Sequence, residues 1–319
     1  MISTNVSVVV PIYNEEKTIL KFHKELLNVL NTNKYNWEII YVVDKSRDLT
    51  ESIITKLANK DQRVKYITFT NRIGHQKALI AGIVNAKSKN YIITMDGDLQ
   101  HPPVLIPELL SGVLSGYKIC QTLRKESVDE RFIVRNLSKI IYFTFTKLTG
   151  IQLQRGTTDF RAISPEVSNY LNINFLDKKP FLRGYLTSLN FPTKYVNFEA
   201  RRRIDGKSKF TLTSLSKLSL DALLAFSTKP LVLITIVGLV VSVLSFTCSI
   251  LILALKLFGI TKITGYTTMF FAILFLSGFQ ILSLGTIGLY ISNVLSGIQN
   301  RPLYIIENSK NFTRLNSRI

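Results

Sequence analysis

Over the first 120 positions, short runs of β-branched and aromatic residues alternate with longer segments in which apolar positions recur every three or four residues. Val6-Ser7-Val8-Val9-Val10, Trp37–Val43, Val64–Phe69, Tyr91–Met95 and Tyr117–Thr122 read as strands. Glu15–Leu30, Leu49–Leu57 and Gln76–Ala86 read as helices, the first with Ile19, Leu20, Phe22, Leu26, Leu27 and Leu30 on its inner side. Apolar strands separated by amphipathic helices predict a mostly parallel sheet covered on both faces, a Rossmann-like α/β architecture.

Beyond Cys120 the pattern loosens. Arg131–Leu148 reads as an amphipathic helix, Thr158-Asp159-Phe160-Arg161 lies beside a short strand, and Arg201–Lys209 is a basic loop. Leu212, Leu215, Leu218, Ala222 and Phe226 then recur at helical spacing, a stripe suited to a helix on a membrane surface or to a core helix. Leu231–Leu255 and Tyr266–Gln299, Lys256 to Gly265 between them, lack charge after the first run begins and before the second ends, apart from that connection. Each exceeds the roughly 20 residues a helix needs to cross a bilayer. The chain therefore divides into a domain at 1–210, an amphipathic helix at 211–229, a two-helix transmembrane hairpin at 230–298 (about 231–255 and 267–295) and a basic tail at 299–319.

Charge orients this arrangement. Lys207, Lys209, Lys217 and Lys229 precede the first span and Arg301, Lys310, Arg314 and Arg318 follow the second, against Lys256 and Lys262 between them. The excess predicts both termini and the large domain on the cytoplasmic face of the cell membrane. Met1–Val10 has no basic stretch followed by a long apolar core, so no secretory signal is expected. The net charge of +19 fits an anionic leaflet, whereas no zinc-knuckle, RNP-type or helix-turn-helix pattern points to nucleic acid. The two cysteines, Cys120 and Cys248, are expected to form no disulfide, and His23, His75 and His101 lack metal-ligand spacing.

Candidate chemistry centres on Asp96-Gly97-Asp98-Leu99-Gln100-His101-Pro102-Pro103, immediately after an apolar strand. Two carboxylates spaced i and i+2 at the C-terminal edge of a buried strand suit a divalent cation, Mg²⁺ or Mn²⁺, and a diphosphate. Two familiar phosphate loops are excluded. No Gly-x-Gly-x-x-Gly follows the first strand, where Pro11-Ile12-Tyr13-Asn14-Glu15-Glu16 stands. Gly206-Lys207-Ser208 lacks both the leading strand and the first glycine of a P-loop, whose place Arg201 takes.

Taken in order, Val10-Pro11-Ile12-Tyr13-Asn14-Glu15, Asp44 with Ser46 and Asp48, the Asp96–Pro103 segment, Asp159-Phe160-Arg161 and Arg203-x-x-Gly206-x-Ser208-Lys209 resemble the family 2 glycosyltransferases of GT-A fold. The resemblance is to the polyprenyl-phosphate branch, including dolichol-phosphate mannose synthases and bactoprenol glucosyltransferases. It implies inverting transfer of a sugar, from UDP-glucose or another UDP-hexose, to undecaprenyl or another polyprenyl phosphate. It also implies that Pro11, Tyr13, Glu15, Asp44, Asp96 and Gly97 shape the nucleotide-sugar pocket, and that Asp96, Asp98 and Gln100 hold Mg²⁺ or Mn²⁺. Asp159 takes the place of the catalytic base, and Arg124, Arg135, Arg161, Arg203, Ser208 and Lys209 those of phosphate and acceptor contacts. Relatives of this type assemble as tetramers, which makes a homo-oligomer an expectation.

Several positions depart from the family pattern. Val43-Asp44-Lys45-Ser46 stands where Asp-Asp-Gly-Ser is usual, Asn71 and Arg72 are in reversed order, His101 replaces an aspartate and Gly97 an alanine. Two alternatives follow: a GT-A transferase with a different lipid or polysaccharide acceptor, and a catalytically decayed membrane scaffold. Processive synthases carry Gln-x-x-Arg-Trp, whereas the one tryptophan here is Trp37 in the second strand. The retained Asp96, Asp98 and Asp159 weigh against decay.

Overall fold

The apolar runs become the strands of one eight-stranded sheet in a computed structural model of the chain. The structure describes residues 4–87, 89–125, 146–147, 149–150, 152, 154–174, 180–199, 201, 229–258, 265–299 and 302–315. The chain falls into two units, the first holding the sheet and the second two long helices.

In the first unit, β1 (Asn5–Ile12), β2 (Asn36–Val43), β3 (Val64–Phe69) and β4 (Tyr91–Thr94) pair in parallel in the order β4-β1-β2-β3. Helices α1 (Ile19–Thr32), α2 (Thr50–Lys60) and α3 (His75–Asn85) make the crossovers, and α4 (Ile106–Leu114) follows β4. On the other flank β5 (Ile119–Arg124) pairs in parallel with β7 (Thr193–Phe198), and β6 (Thr157–Ile163) runs antiparallel between β4 and β5. Two shorter helices, α5 (Pro165–Asn174) and α6 (Leu182–Ser188), follow β6. The expected mostly parallel sheet is present, in mixed form.

Alternate residues of each strand feed two apolar layers. Val8, Val10, Ile39, Tyr41 and Phe160 pack with α1, α2 and α4, whereas Val9, Ile40, Val42, Ile92 and Ile163 pack with α3, α5 and α6. Burying such side chains contributes about 1.5–3 kcal/mol each, which fixes both helical layers against the sheet.

Helix α1 starts at Ile19 rather than Glu15. The Glu15 carbonyl accepts the Thr18 and Ile19 amides, while Glu16 and Asn14 bind the loop after β2. Leu20, expected inside, is 56% exposed; His23 is buried instead, its Nδ1 2.9 Å from the Tyr41 hydroxyl. Asp159-Phe160-Arg161 lies within β6 rather than beside a strand.

The C-terminal segment differs most from the sequence reading. Residues 302–315 belong to the first unit, and β8 (Ile306–Lys310) extends the sheet antiparallel to β3. Leu303 and Tyr304 are buried, with Tyr304 edge-on to Phe69 at 5.3 Å. The Asn311 amide donates to the Ala58 and Val64 carbonyls at 2.8 Å each. These contacts cover a sheet edge that would otherwise present unpaired backbone groups.

The second unit contains α7 (Lys229–Leu257, 29 residues) and α8 (Tyr266–Ile298, 33 residues). Among the described residues one helix is long and apolar enough to cross a membrane, through Phe275–Ser292; Leu231–Val241 forms a shorter apolar stretch in α7. The predicted helices at 131–148 and 211–229 lie outside the described residues, apart from isolated positions in the former and Lys229, the first residue of α7, in the latter.

Candidate active site

Strand register brings the two principal carboxylates together. Thr94 of β4 lies opposite Arg161 of the antiparallel β6, so two residues further along β4's direction Asp96 comes level with Asp159. The Thr94 hydroxyl donates to the Asp159 carbonyl at 2.6 Å, tying the strands at that level.

Asp159 is the hub of a buried polar cluster. Its Oδ2 lies 3.2 Å from His75 Nε2 and accepts from Gln76 Nε2 at 3.0 Å. Its Oδ1 pairs with Arg161, whose side chain is fully buried, and lies 3.7 Å from Arg183 Nη2. Burial opposes ionisation of Asp159, but Arg183, the His75 hydrogen bond and Arg161 outweigh it and hold the carboxyl well below its usual range. Burial also draws the Arg161 guanidinium down to about 10, against the pull of Asp159. The pair is therefore an interior feature rather than a surface salt bridge.

His75 connects this hub to the aspartate segment. Its Nε2 is 3.5 Å from Asp96 Oδ1 as well as 3.2 Å from Asp159 Oδ2. Burial lowers its proton affinity, yet Asp96 and Asp159 together raise the pKa to about 9. Gly74, with φ +84°, provides the left-handed entry into α3 that places His75 and Gln76 here.

Around Asp96 the chain turns through Leu99, whose φ is +65°, and Asp98 Oδ1 accepts the Gln100 amide at 3.1 Å. Asp98 is buried and Gln100 partly exposed. The Asp96 amide donates to His101 Nδ1 at 3.0 Å, and the His101 ring stacks on Phe160 with centroids 5.3 Å apart. The histidine at the family's aspartate position thus braces the turn. Among the described residues Asp96 Oδ1 is buried with no hydrogen bond, His75 Nε2 standing 3.5 Å away, so it is an acceptor that a cation could engage. The side-chain oxygens of Asp96, Asp98 and Gln100 are of the chemical type that Mg²⁺ and Mn²⁺ take. Among the described residues no three His, Cys, Asp or Glu side chains cluster to hold a metal, so phosphate oxygens or water would complete the shell.

The remaining predicted residues surround this edge in different ways. Both Asp44 oxygens accept backbone amides, from Ile73 at 2.7 Å and Gly74 at 3.1 Å, so this carboxylate shapes the loop entering α3. Arg72 lies over the Tyr13 ring at 4.0 Å and 3.7 Å from Asp44, a use for its reversed position. Glu15 accepts from the Thr18 hydroxyl at 2.7 Å, and Pro11 is buried in β1. Gly97 leaves room for Ile12, whose Cδ1 would lie 2.3 Å from an added Cβ. Lys45, the other departure, pairs with Glu307 of β8 at 2.5 Å.

Arg124 is exposed at the end of β5. Arg201 pairs with Glu25 of α1 at 2.7 Å. Arg135, Arg203, Ser208 and Lys209 lie outside the described residues. Cys120 is a free buried thiol. Sequence reasoning missed His75, Gln76 and Arg183; Gly74 at the entry to an apolar helix was the available signal for the first two.

Comparison with known proteins identifies the family. Residues 7–171 match Glycosyl transferase family 2. An uncharacterised glycosyltransferase of Bacillus subtilis, YkcC, is 34% identical over 95% of this chain and 93% of its own. A prophage-derived bactoprenol glucosyl transferase of Shigella flexneri is 34% identical over 95% and 98%, respectively. A Mycobacterium tuberculosis glucosyl-3-phosphoglycerate synthase solved with Mn²⁺ and UDP-glucose has a TM-score of 0.47, with 17% identity over 69% of this chain and 78% of that one. The fold, an α/β domain with a mostly parallel mixed sheet, is that of a glycosyltransferase. The chain belongs to glycosyl transferase family 2 and is similar to bactoprenol glucosyl transferases.

Proposed function

We propose that this protein transfers a hexose, with inversion, from a UDP-sugar to a polyprenyl phosphate at the cytoplasmic face of the cell membrane. The observation that carries the reading is the convergence of Asp96 and Asp159 through His75, beside the buried Asp98. The shared length and identity with bactoprenol glucosyl transferases support the lipid acceptor.

Tyr13, Glu15 and Asp44 form the nucleotide end of the proposed pocket, with Pro11 and Gly97 shaping its wall. Asp96, Asp98 and Gln100 would hold Mg²⁺ or Mn²⁺ near the diphosphate. A bound divalent ion supplies Lewis-acid stabilisation of charge on the departing nucleotide. An acceptor phosphate oxygen forms the new bond to the sugar's anomeric carbon as the bond to the nucleoside diphosphate breaks on the opposite face.

Asp159 need not accept much proton density in this reaction. A phosphate monoester has its second ionisation near roughly pH 6, so the nucleophile is already largely dianionic at neutral pH. Its own carboxylate is held ionised by His75, Gln76 and Arg161. We assign it the task of fixing those donors. Arg124, Arg135, Arg203, Ser208 and Lys209 are the further phosphate contacts of this reading.

Chain connectivity supports a membrane hairpin. The chain leaves the first unit before α7 and rejoins it at β8, so a crossing by α8 requires a return crossing, which α7 supplies. At 1.5 Å per residue the two helices extend about 43 and 50 Å, beyond the roughly 30 Å apolar core of a bilayer. The flanking lysines and arginines orient both ends inward.

The test combines purified full-length protein, Mn²⁺ and undecaprenyl phosphate with a panel of UDP-sugars, reading product mass. One donor should yield a singly glycosylated lipid, and Asp98→Ala should abolish it. Transfer unchanged in that variant would remove the metal assignment, and no lipid product with any donor would remove the acceptor assignment.

A further inference from the structure

Two arginines share one carboxylate in the cluster. Arg161 and Arg183 both lie against Asp159 Oδ1, but Arg161 pairs closely while Arg183 stops at 3.7 Å. The carboxylate cannot turn to serve Arg183 better because Oδ2 is engaged by His75 and Gln76. Among the described residues the guanidinium Nε of Arg183, and Nε and Nη1 of the fully buried Arg161, have no hydrogen-bond partner. Two cations thus face one carboxylate, with buried donors unused. Native interiors rarely leave such groups unsatisfied without a ligand or water to receive them.

Arg183 is positioned rather than left to chance. Leu182 and Leu186 bury α6 in the apolar layer beneath the sheet. The Leu182 amide donates to Gln76 Oε1 at 3.1 Å, and the same glutamine reaches Asp159 with its nitrogen. Gln76 therefore holds the first turn of α6 and Asp159 as one piece. With 23% of its side chain exposed, Arg183 can still be reached from solvent.

Asp159 divides the surroundings by function. Its Oδ2 faces His75 and, through it, Asp96, the side assigned above to cation and donor diphosphate. Its Oδ1 faces the two arginines. We propose that Arg183, supported by Arg161, binds the phosphate of the acceptor on the side of Asp159 away from the donor diphosphate. A planar guanidinium fork suits two oxygens of a phosphate monoester, and the ligand's negative charge compensates the surplus cation. This assignment rests on the proposed transferase reaction and names a residue that binds one of its substrates.

The experiment uses full-length protein in detergent micelles and the variants Arg183→Gln and Arg183→Lys. A water-soluble ten-carbon isoprenyl phosphate serves as direct binding probe without donor, and UDP with Mn²⁺ as the second probe. Thermal unfolding establishes that each variant retains its fold; if Arg183→Gln loses it, Arg183→Lys carries the comparison. The expected result is at least a tenfold weaker affinity for isoprenyl phosphate and a matching rise in KM for undecaprenyl phosphate in Arg183→Gln, with Arg183→Lys intermediate. UDP affinity and the donor KM should stay within twofold.

Unchanged isoprenyl phosphate affinity in a folded variant would overturn the proposal, as would weaker UDP binding alone. Failure of wild-type protein to bind isoprenyl phosphate would overturn it too. Selective loss of isoprenyl phosphate binding in a protein that transfers from no UDP-sugar would support the phosphate site while removing the reaction assigned to it.

Discussion

Replacing Asp159 by asparagine removes the charge that accompanies a fully buried guanidinium while keeping nearly the same shape. Asp159 has only 11% of its side chain exposed and Arg161 none, so water does little to screen either group. Breaking such a pair from one side costs about 3–5 kcal/mol because the surviving ion is stranded. Among the described residues Arg161 already has two guanidinium nitrogens without hydrogen-bond partners, which leaves it little to fall back on. For a unit of this size the loss corresponds to a fall of roughly 6–20 °C in the unfolding midpoint. The assay is thermal unfolding of full-length protein at pH 7, followed by the double variant Asp159→Asn with Arg161→Met. The double variant should lose less than the sum of its two single losses, since the stranded charge is gone. A single-variant cost below about 1 kcal/mol, or strict additivity, would refute the argument that this pair is electrostatically coupled in the interior. The acid limb gives an independent check. A depressed folded pKa means that the stabilisation is present above the unfolded value and is lost as pH falls through the folded one. Asp159→Asn should therefore flatten the pH dependence of stability below about pH 4.

Further outcomes concern neighbouring parts of the structure. His75, raised to about 9, stabilises the fold fully below its ordinary value of 6.5 and loses that contribution as pH climbs through 9; His75→Gln should remove this alkaline decline, read by unfolding midpoints from pH 6 to 10. Gly97→Ala forces its new methyl against Ile12 and should destabilise by about 1–3 kcal/mol, with Ile12→Val restoring much of the loss in a chemical unfolding series. A chain ending at Gln299 loses β8 and the buried Leu303 and Tyr304; hydrogen exchange should accelerate along β3, and unchanged protection there would contradict the edge assignment.

Much of the sheet and of the aspartate site was legible because each is encoded locally. An apolar run announces a buried strand, and Asp96-Gly97-Asp98 follows one directly. His75, Gln76 and Arg183 carry no comparable signal, since their meaning arises only when β4 and β6 are aligned and α6 is docked beside them. The burial of His23 had no signal for another reason: periodicity ranks side chains by hydrophobicity and cannot foresee that a Tyr41 hydroxyl will satisfy a buried ring. Strand β8 escaped because Ile306-Glu307-Asn308-Ser309-Lys310 contains one apolar residue. An edge strand is recruited through backbone hydrogen bonds, so its side chains can read as a solvated tail.

The return of the chain to β3 also sets an order of assembly. Ribosomes make β3 early and β8 near the end of the chain, after both long helices of the second unit have been synthesised. Until then one margin of the sheet lacks its neighbour, and the closing contact spans more than two hundred residues of sequence, as between Tyr66 and Lys310. Completion of the catalytic domain is thereby coupled to successful synthesis of the helical unit. A nascent chain interrupted within those helices would carry an open strand edge, the feature by which quality-control chaperones could tell it from a finished enzyme.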